Sequence, residues 1–397
     1  MIEITNPNNC AGCYACYNVC PKHSIELVAD SEGFRYPIVD EKRCINCHLC
    51  EQVCPYINLS VKGDTLKKPE IFTIRSKREK VLDHSASGGV FYELACEVIR
   101  HGGVVFGVVW GDRYDIVYHK SARTIDELSD MQGSKYVQSD VKYCYKEAKE
   151  LLNKGTMVCF SGTPCQIAAL FTFLQKDYDN LITCDLICHG VPSPIVLQKY
   201  LEEIEKDKGK RIVGYYRDKL SGWAPASYTA VFEDGTILSG MKNNAYSKLF
   251  TYYNAQQRKS CYACRFSRSP RIADISLGDY FVQKNAIDIK GNEVIAKDNK
   301  GLSLITINTQ QGETWFKKIL PYVQYDKLQP YSVTSWHLFQ GPGNASNISE
   351  RNKLFKYLRL GFGFSKTYDA LFNKHSRLYA LYMNVYCILK STFMKGR

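Results

Sequence analysis

Eight of the seventeen cysteines stand in two boxes of one spacing. Cys10, Cys13, Cys16 and Cys20 precede Pro21 in "CAGCYACYNVCP", and Cys44, Cys47, Cys50 and Cys54 precede Pro55 in "CINCHLCEQVCP". Three thiolates separated by two residues each can wrap one face of an iron–sulfur cubane, and the longer step before proline carries the fourth across to a neighbouring cluster. The spacing predicts one 4Fe-4S cluster on Cys10, Cys13, Cys16 and Cys54 and a second on Cys44, Cys47, Cys50 and Cys20. Two structural zinc sites are the alternative, but zinc needs no fourth cysteine offset before a proline. A module of this kind stores and relays single electrons.

Four more cysteines sit where loops begin. Cys165 follows Thr-Pro in "FSGTPCQIAAL", at the first turn of an expected helix, where the helix dipole favours thiolate. Cys188 ends "LITCDLIC", and Cys261 and Cys264 form a C-x2-C pair in "CYAC". Together they make a third four-thiolate site, with a redox disulfide at Cys261/Cys264 or structural zinc as alternatives. Cys184, deeper in the strand that Cys188 ends, is the substitute ligand. Cys96, Cys144, Cys159 and Cys387 fall inside helix or strand patterns and read as buried small hydrophobes.

The elements that must position these groups follow from patterning. Between the two boxes, "IELVADSEGFRYPIVD" reads as two short strands and a turn, and the doubled module resembles a ferredoxin domain. From about residue 70 strands and helices alternate. "SASGGVFYELACEVIRHGG" is a glycine turn and an amphipathic helix, "VVFGVVW" a buried strand, and "TIDE" a capping box on Thr124 and Glu127. "TPCQIAALFTFL" starts with Thr163 as N-cap and Pro164 at the first helical position. "YTAVFEDGTILSG" is a hairpin on an Asp-Gly turn. The expected fold class is therefore mixed α+β and α/β: an N-terminal bacterial ferredoxin-like domain, then an α/β body with an added antiparallel hairpin. "SASGG", "GSKY" and "SGTPC" are turns whose backbone N–H groups suit an anion such as a dinucleotide phosphate, and Lys135 could add a full charge.

Six stretches occur in the order of a known family: "SASGGVF", "GSKYVQS", "FSGTPCQIAAL", "CDLICHGVPSP", "CYACRF" and "ADISLGDYF". Over about residues 1–310 the chain resembles the beta subunit of coenzyme F-420 hydrogenase/dehydrogenase with a fused N-terminal ferredoxin domain. The resemblance implies FAD, held around Ser87, Gly88, Gly89, Gly133, Ser134, Lys135, Tyr136 and Thr163, and a further 4Fe-4S cluster with Cys165 as a ligand. It implies an oxidoreductase that couples hydride chemistry at the flavin to single-electron clusters, with His189 and Asp279 as candidates for moving a proton or orienting the ring. Coenzyme F-420 is one substrate the family uses. A non-catalytic electron-transfer subunit of a larger complex is an alternative. So is a ferredoxin-dependent reductase, since members of this type accompany surface-polysaccharide synthesis genes. The expected domains are residues 1–60 (two clusters), 70–155 and 156–335 (the two family domains) and 340–397 (a basic aromatic tail).

Bulk properties agree with this organisation. The chain of 397 residues is 45% hydrophobic and 23% charged, as a globular protein of two or three domains would be. "MIEITNPNNCAGC" has no basic and apolar leader, and the longest apolar runs are too short to span a bilayer, so a cytoplasmic chain with reduced thiols is expected. Residues 351–397 hold ten Lys/Arg and one Asp, +9 of the total +12, which leaves +3 for the remainder. Each cluster with its thiolates adds roughly −2, so nucleic acid is not an expected partner. In the tail, Leu371, Phe372, Leu378, Tyr379, Tyr382, Val385, Tyr386 and Leu389 trace an apolar helical stripe. A helix packed on the body, a peripheral contact with anionic lipid, and a dock for ferredoxin or another redox partner protein all fit that pattern.

Overall fold

Both cysteine boxes fold into one repeated shape. In the computed structural model, which describes residues 1–59, 65–112, 114, 116–220, 222–223, 226–241, 244–268, 271–280, 299–328 and 348–372, each box begins its second C-x2 step with a left-handed residue. These are Tyr14 (φ 69°) and His48 (φ 59°), and each opens a single helical turn, α1 (Ala15–Val19) and, after the intervening hairpin, α2 (Leu49–Gln52). The hairpin pairs β1 (Ile25–Ala29) with β2 (Arg35–Val39) antiparallel, Ile25 opposite Val39.

The body begins with β3 (Thr65–Ser76), α3 (Glu79–His84), α4 (Val90–Arg100), β4 (Val104–Trp110), β5 (Val117–Ala122) and β6 (Ser139–Asp140). It continues with α5 (Cys144–Asn153), β7 (Val158–Gly162), α6 (Pro164–Leu174), β8 (Leu181–Leu186), α7 (Pro194–Lys208), β9 (Ile212–Asp218), β10 (Ser227–Phe232) and β11 (Ile237–Leu238). The last described elements are α8 (Ala245–Thr251), β12 (Ile275–Asp279), β13 (Ser303–Thr309), α9 (Gln310–Ile319), β14 (Val323–Lys327), α10 (Ile348–Arg359) and α11 (Phe364–Phe372).

Nine strands form one mixed sheet in the order β14-β3-β13-β12-β8-β7-β4-β5-β6. Its centre, β12-β8-β7-β4, is parallel, and β13 and β5 flank it antiparallel. Val104 lies opposite Val158, so the sheet runs straight across residue 155. Buried β-branched and aromatic residues on both faces suit a parallel centre covered by helices. One face carries Val105, Cys159, Ile182 and Ile275 under Leu94 and Val98 of α4 and Phe316 of α9. The other carries Phe106, Phe160 and Leu181 under Tyr145 of α5 and Ile167 of α6. Thr163 caps α6 with the expected Pro164 behind it, and Gln166 completes the capping box by accepting from the Thr163 N–H at 2.9 Å. The Thr124–Glu127 box is also formed, over a 3-10 turn, Asp126–Met131.

The N-terminal module sits on α5 and α6. Ala15 and Val53 join the core beneath it, Thr172 of α6 donates to the Val53 carbonyl at 2.6 Å, and Asn18 donates to the Lys142 carbonyl at 2.7 Å. A second sheet, β11-β10-β9, is antiparallel and packs with α7, α8, α10 and α11 around an aromatic core that includes Tyr200, Tyr215, Tyr228, Tyr246 and Phe355. The described half of the tail belongs to this core: Leu354, Phe355, Leu358 and Phe364 are buried, and Phe372 packs on Tyr253 at 4.2 Å. The expected apolar stripe from Leu378 onward, and Cys387, lie outside the described residues. No helix among the described residues is long and apolar enough to cross a membrane.

Candidate functional site

The eight N-terminal cysteines ring two cavities. One is lined by Cys10, Cys13, Cys16 and Cys54, the other by Cys44, Cys47, Cys50 and Cys20. The crossing of Cys20 and Cys54 follows from the short helices, which point the end of each box at its neighbour. Backbone donors reach the sulfurs: Gly12 N to Cys10 Sγ at 3.4 Å, Ile2 N to Cys50 Sγ at 3.3 Å and Ser24 N to Cys20 Sγ at 3.3 Å. Burial, then the neighbouring thiols, pushes Cys13 and Cys16 well up. For Cys20 burial acts upward too, but the Ser24 hydroxyl and N–H donors lower it on balance. Among the described residues no His, Cys, Asp and Glu side chains converge closely enough to hold a single ion. A tetrahedral zinc would draw its thiolates to about 3.8 Å from one another. These sets surround a space instead, which fits a cubane.

The body contributes a third set at the ends of adjacent parallel strands. Cys165 lies in the first turn of α6, just after β7. Cys188 follows β8, and Cys261 and Cys264 lie in and after a 3-10 turn, Lys259–Ala263. Burial, then Cys264, pushes the Cys165 thiol up to about 11. Burial, then Cys264, raises Cys261 to about 12, and burial with Cys261 and Cys165 raises Cys188 well above its ordinary value. The sequence position of Cys165 favours thiolate, and burial of the thiol acts in the other direction. A helix terminus is worth about 0.3–1 kcal/mol, less than burial beside Cys264 costs the thiolate here. Desolvation wins, and such a buried thiol set loses its protons to a metal rather than to water. Cys184 is 1% exposed and faces Cys159 and Asp274 in the opposite core layer, away from this group. Cys96, Cys144 and Cys159 are buried.

The inner N-terminal set and the body set are neighbours. Tyr56, two residues past Cys54, lies in the field of Cys165, Cys264 and Cys261, and Tyr145 in that of Cys13 and Cys165. Arg265 donates to the Tyr56 carbonyl at 3.1 Å. Buried Arg258 reaches the Cys10 carbonyl at 2.7 Å.

The other expected residues gather where the central parallel strands end, the edge at which open α/β sheets bind ligands. Ser87 Oγ donates to the Leu302 carbonyl at 3.0 Å, and Gly88 N to Ser303 Oγ at 2.9 Å. A Cβ on Gly88 would fall 2.4 Å from the Ile74 carbonyl, so only glycine fits there. Gly89 (φ 76°) opens α4 with no side-chain cap. Gly133 (φ 75°) would place a Cβ 3.9 Å from the His84 carbonyl, an ordinary contact, and Ser134 beside it is exposed. Lys135 spends its ammonium on the carbonyls of Asp130, Gln132 and Gly133 at 2.9, 2.8 and 3.2 Å. Burial lowers its pKa to about 7. Thr163 Oγ1 spends its hydroxyl on Gln166 and on Cys165 Sγ, 3.1 Å away.

Tyr136 and Asp279 meet through a residue the sequence gives no sign of. Arg217, from β9, donates to Tyr136 Oη at 3.0 Å, Asp279 Oδ2 at 2.9 Å and the Trp223 carbonyl at 3.2 Å. Its Nε is buried and has no hydrogen-bond partner among the described residues. Lys219, also unforeseen, clamps this edge by donating to the Leu82, Ser87 and Lys300 carbonyls, each at 2.7 Å. His189 stands beyond β8, bonded through Nε2 to Asn254 Oδ1 at 2.6 Å and edge-on to Phe250. No bond joins it to Asp279, which is held by Arg217 instead. An orphaned Nε, a left-handed glycine turn and an uncapped helix start suit a polyanionic ligand with acceptor oxygens, and a dinucleotide is one.

Comparison with known proteins adds two family matches. Residues 155–329 match the family described as the C terminus of the coenzyme F420 hydrogenase/dehydrogenase beta subunit, and residues 9–58 match the "4Fe-4S dicluster domain". Among solved structures, a chain of the F420-reducing [NiFe] hydrogenase complex of Methanosarcina barkeri, studied as a xenon derivative, is similar at 19% identity. It has a TM-score of 0.46, and the likeness covers 68% of this chain and 87% of that one. No curated protein matches. Two successive stretches of the chain thus resemble an iron–sulfur dicluster domain and the C-terminal domain of that beta-subunit family.

Proposed function

We propose that this chain, an iron–sulfur dicluster domain built onto a coenzyme F420 hydrogenase/dehydrogenase beta-subunit domain, is a flavoprotein oxidoreductase. It moves electrons between a two-electron carrier or substrate and single-electron clusters. The observation that carries the reading is the sequence of thiol sets from the protein's exterior to the strand edge. Cys44, Cys47, Cys50 and Cys20 hold the outer cluster, with Cys47 exposed. Cys10, Cys13, Cys16 and Cys54 hold the inner one, and Cys165, Cys188, Cys261 and Cys264 hold a third, beside the edge where Ser87–Gly89, Gly133–Tyr136, Arg217 and Asp279 gather.

FAD bound at that edge would supply exchange of an electron pair with the substrate and of single electrons with the clusters. The residues prepare the place. Gly88 lets the turn close onto β3 and β13, and the N–H groups at the start of α4 meet anionic oxygen. Lys135 fixes the Gly133–Ser134 turn from below through carbonyls and so is not itself a phosphate ligand. Arg217 offers its remaining Nε–H to an acceptor on the ligand while Asp279 and Tyr136 hold its orientation. Asn254 fixes the ring of His189, which leaves Nδ1 as the atom able to take or give a proton. The family's name is that of a subunit, which favours as a second reading an electron-transfer subunit working with a catalytic partner.

The test is anaerobic purification followed by iron and flavin analysis. About 12 iron atoms with one flavin per chain are expected, and about 8 would remove the third cluster. Folded, iron-loaded protein without flavin would sink the catalytic reading. Parallel titration with coenzyme F-420, NADH, NADPH and reduced ferredoxin, watching which bleaches the flavin, then identifies the electron source. A chain that none of them reduces without a partner supports the subunit reading.

A further inference from the structure

Among the described residues four arginines are nearly or wholly buried: Arg217, Arg258, Arg271 and Arg351. Three have a carboxylate: Asp279 for Arg217, Asp185 for Arg271 and Glu32 for Arg351. Arg258, 0% exposed, forms no ion pair with a carboxylate among the described residues. Its guanidinium donates only to neutral oxygens and to one sulfur. Nε reaches the Cys10 carbonyl at 2.7 Å, one Nη the Gln138 Oε1 at 3.1 Å, and the other the Arg35 carbonyl at 3.0 Å and Cys10 Sγ at 3.5 Å. The rings of Phe34 and Tyr36 close over it at 5.5 and 4.2 Å. A buried charge without a counter-charge is strongly destabilising. Something negative must answer it.

The same residue touches both inner thiol sets. Its side chain meets Cys10, its carbonyl accepts from Cys261 N at 3.0 Å, and its charge acts on the Cys165 and Cys261 sulfurs. Its own N–H donates to the Val191 carbonyl, three residues past Cys188. A 4Fe-4S centre with four thiolates carries about −2 oxidised and gains one more negative charge on reduction.

We propose that Arg258 is the shared counter-cation of the inner N-terminal cluster and the body cluster, a positioning residue that makes both easier to reduce and holds their potentials together. One electron leaves one centre and enters the other, with no bond made or broken and no proton required. The electron stays in the field of the same cation throughout, so the hop does little electrostatic work. Arg258 is 248 residues from Cys10 in sequence, and this contact exists only once the module is seated on the body.

The inference rests on the three-cluster reading, and the experiment separates the two. Full-length protein, assembled anaerobically, is titrated potentiometrically while the reduced-cluster signals are followed by electron paramagnetic resonance. In Arg258→Gln, two of the three signals should move to lower potential while the outer cluster's stays. Arg258→Lys should restore most of the shift. Gln138→Glu neutralises the cation without removing it, and should lower the same two potentials even where Arg258→Gln fails to fold. Three wild-type signals with unmoved potentials in Gln138→Glu and in any folded Arg258→Gln would overturn the inference alone. So would Arg258→Lys shifting as far as Arg258→Gln, which would make packing the cause. Only two cluster signals in wild type would overturn the reading beneath it.

Discussion

At the scale of single residues, burial decides protonation more often than charge does. His119 is 2% exposed, stacked on Phe160, with Nε2 donating to the Ser161 carbonyl at 3.1 Å. Burial lowers its pKa from an ordinary 6.5 to about 4. Between those values the unfolded chain takes up a proton that the folded chain refuses. The His119 contribution is therefore complete above pH 6.5 and is lost as the pH falls toward 4, to a limit of about 3 kcal/mol. Moving wild type from pH 7.5 to 5.5 should lower its thermal midpoint more than it lowers that of His119→Asn. Equal drops would show that other groups carry the acid sensitivity. The cysteine boxes were legible because a metal cluster imposes spacing on the chain itself. Arg217 and Arg258 were not, because their partners lie 62, 81 and 248 positions away and a single sequence records none of those pairings.

At the scale of elements, helix α6 shows what patterning can and cannot reveal. "PCQIAALFTFL" has no charged residue, and all but Cys165 of its residues are buried. A helix apolar all round is covered on every side, and here the N-terminal module supplies the outer cover. The sequence held that clue, but not what does the covering. The alternation of strands and helices was legible too. The order of nine strands was not, since β3, β13 and β14 pair across more than two hundred residues. Helix α10 adds a tie of the same range. Arg351 bonds Glu32 through both Nη atoms and the Gln257 carbonyl through Nε at 3.0 Å, joining tail, module and body. Arg351→Met strands a buried carboxylate and should cost about 3–5 kcal/mol. Adding Glu32→Gln should recover most of it. Chemical denaturation of both variants checks this, and a double variant as weak as the single one would refute ion pairing as the source.

At the scale of the whole molecule, the module and the body share one packed interface. Gly33 (φ 82°) presses so close that a Cβ would lie 2.9 Å from Ile195 N, and Gly12 (φ 63°) would collide with Arg258. Removing residues 1–60 would strip Ala11, Tyr14, Ala15 and Val53 from the core they share with α5 and α6. Burial of a side chain such as Val53 is worth about 1.5–3 kcal/mol. The 61–397 fragment should bind a hydrophobic dye and aggregate where the full chain does not. A monodisperse, dye-silent fragment would mean the two parts fold independently.

The Glu32–Arg351 pair also sets an order of events during synthesis. Its partners are 319 positions apart, so the ribosome releases the acidic half long before it makes the basic half. Until then the carboxylate has no partner in α10 and must remain hydrated.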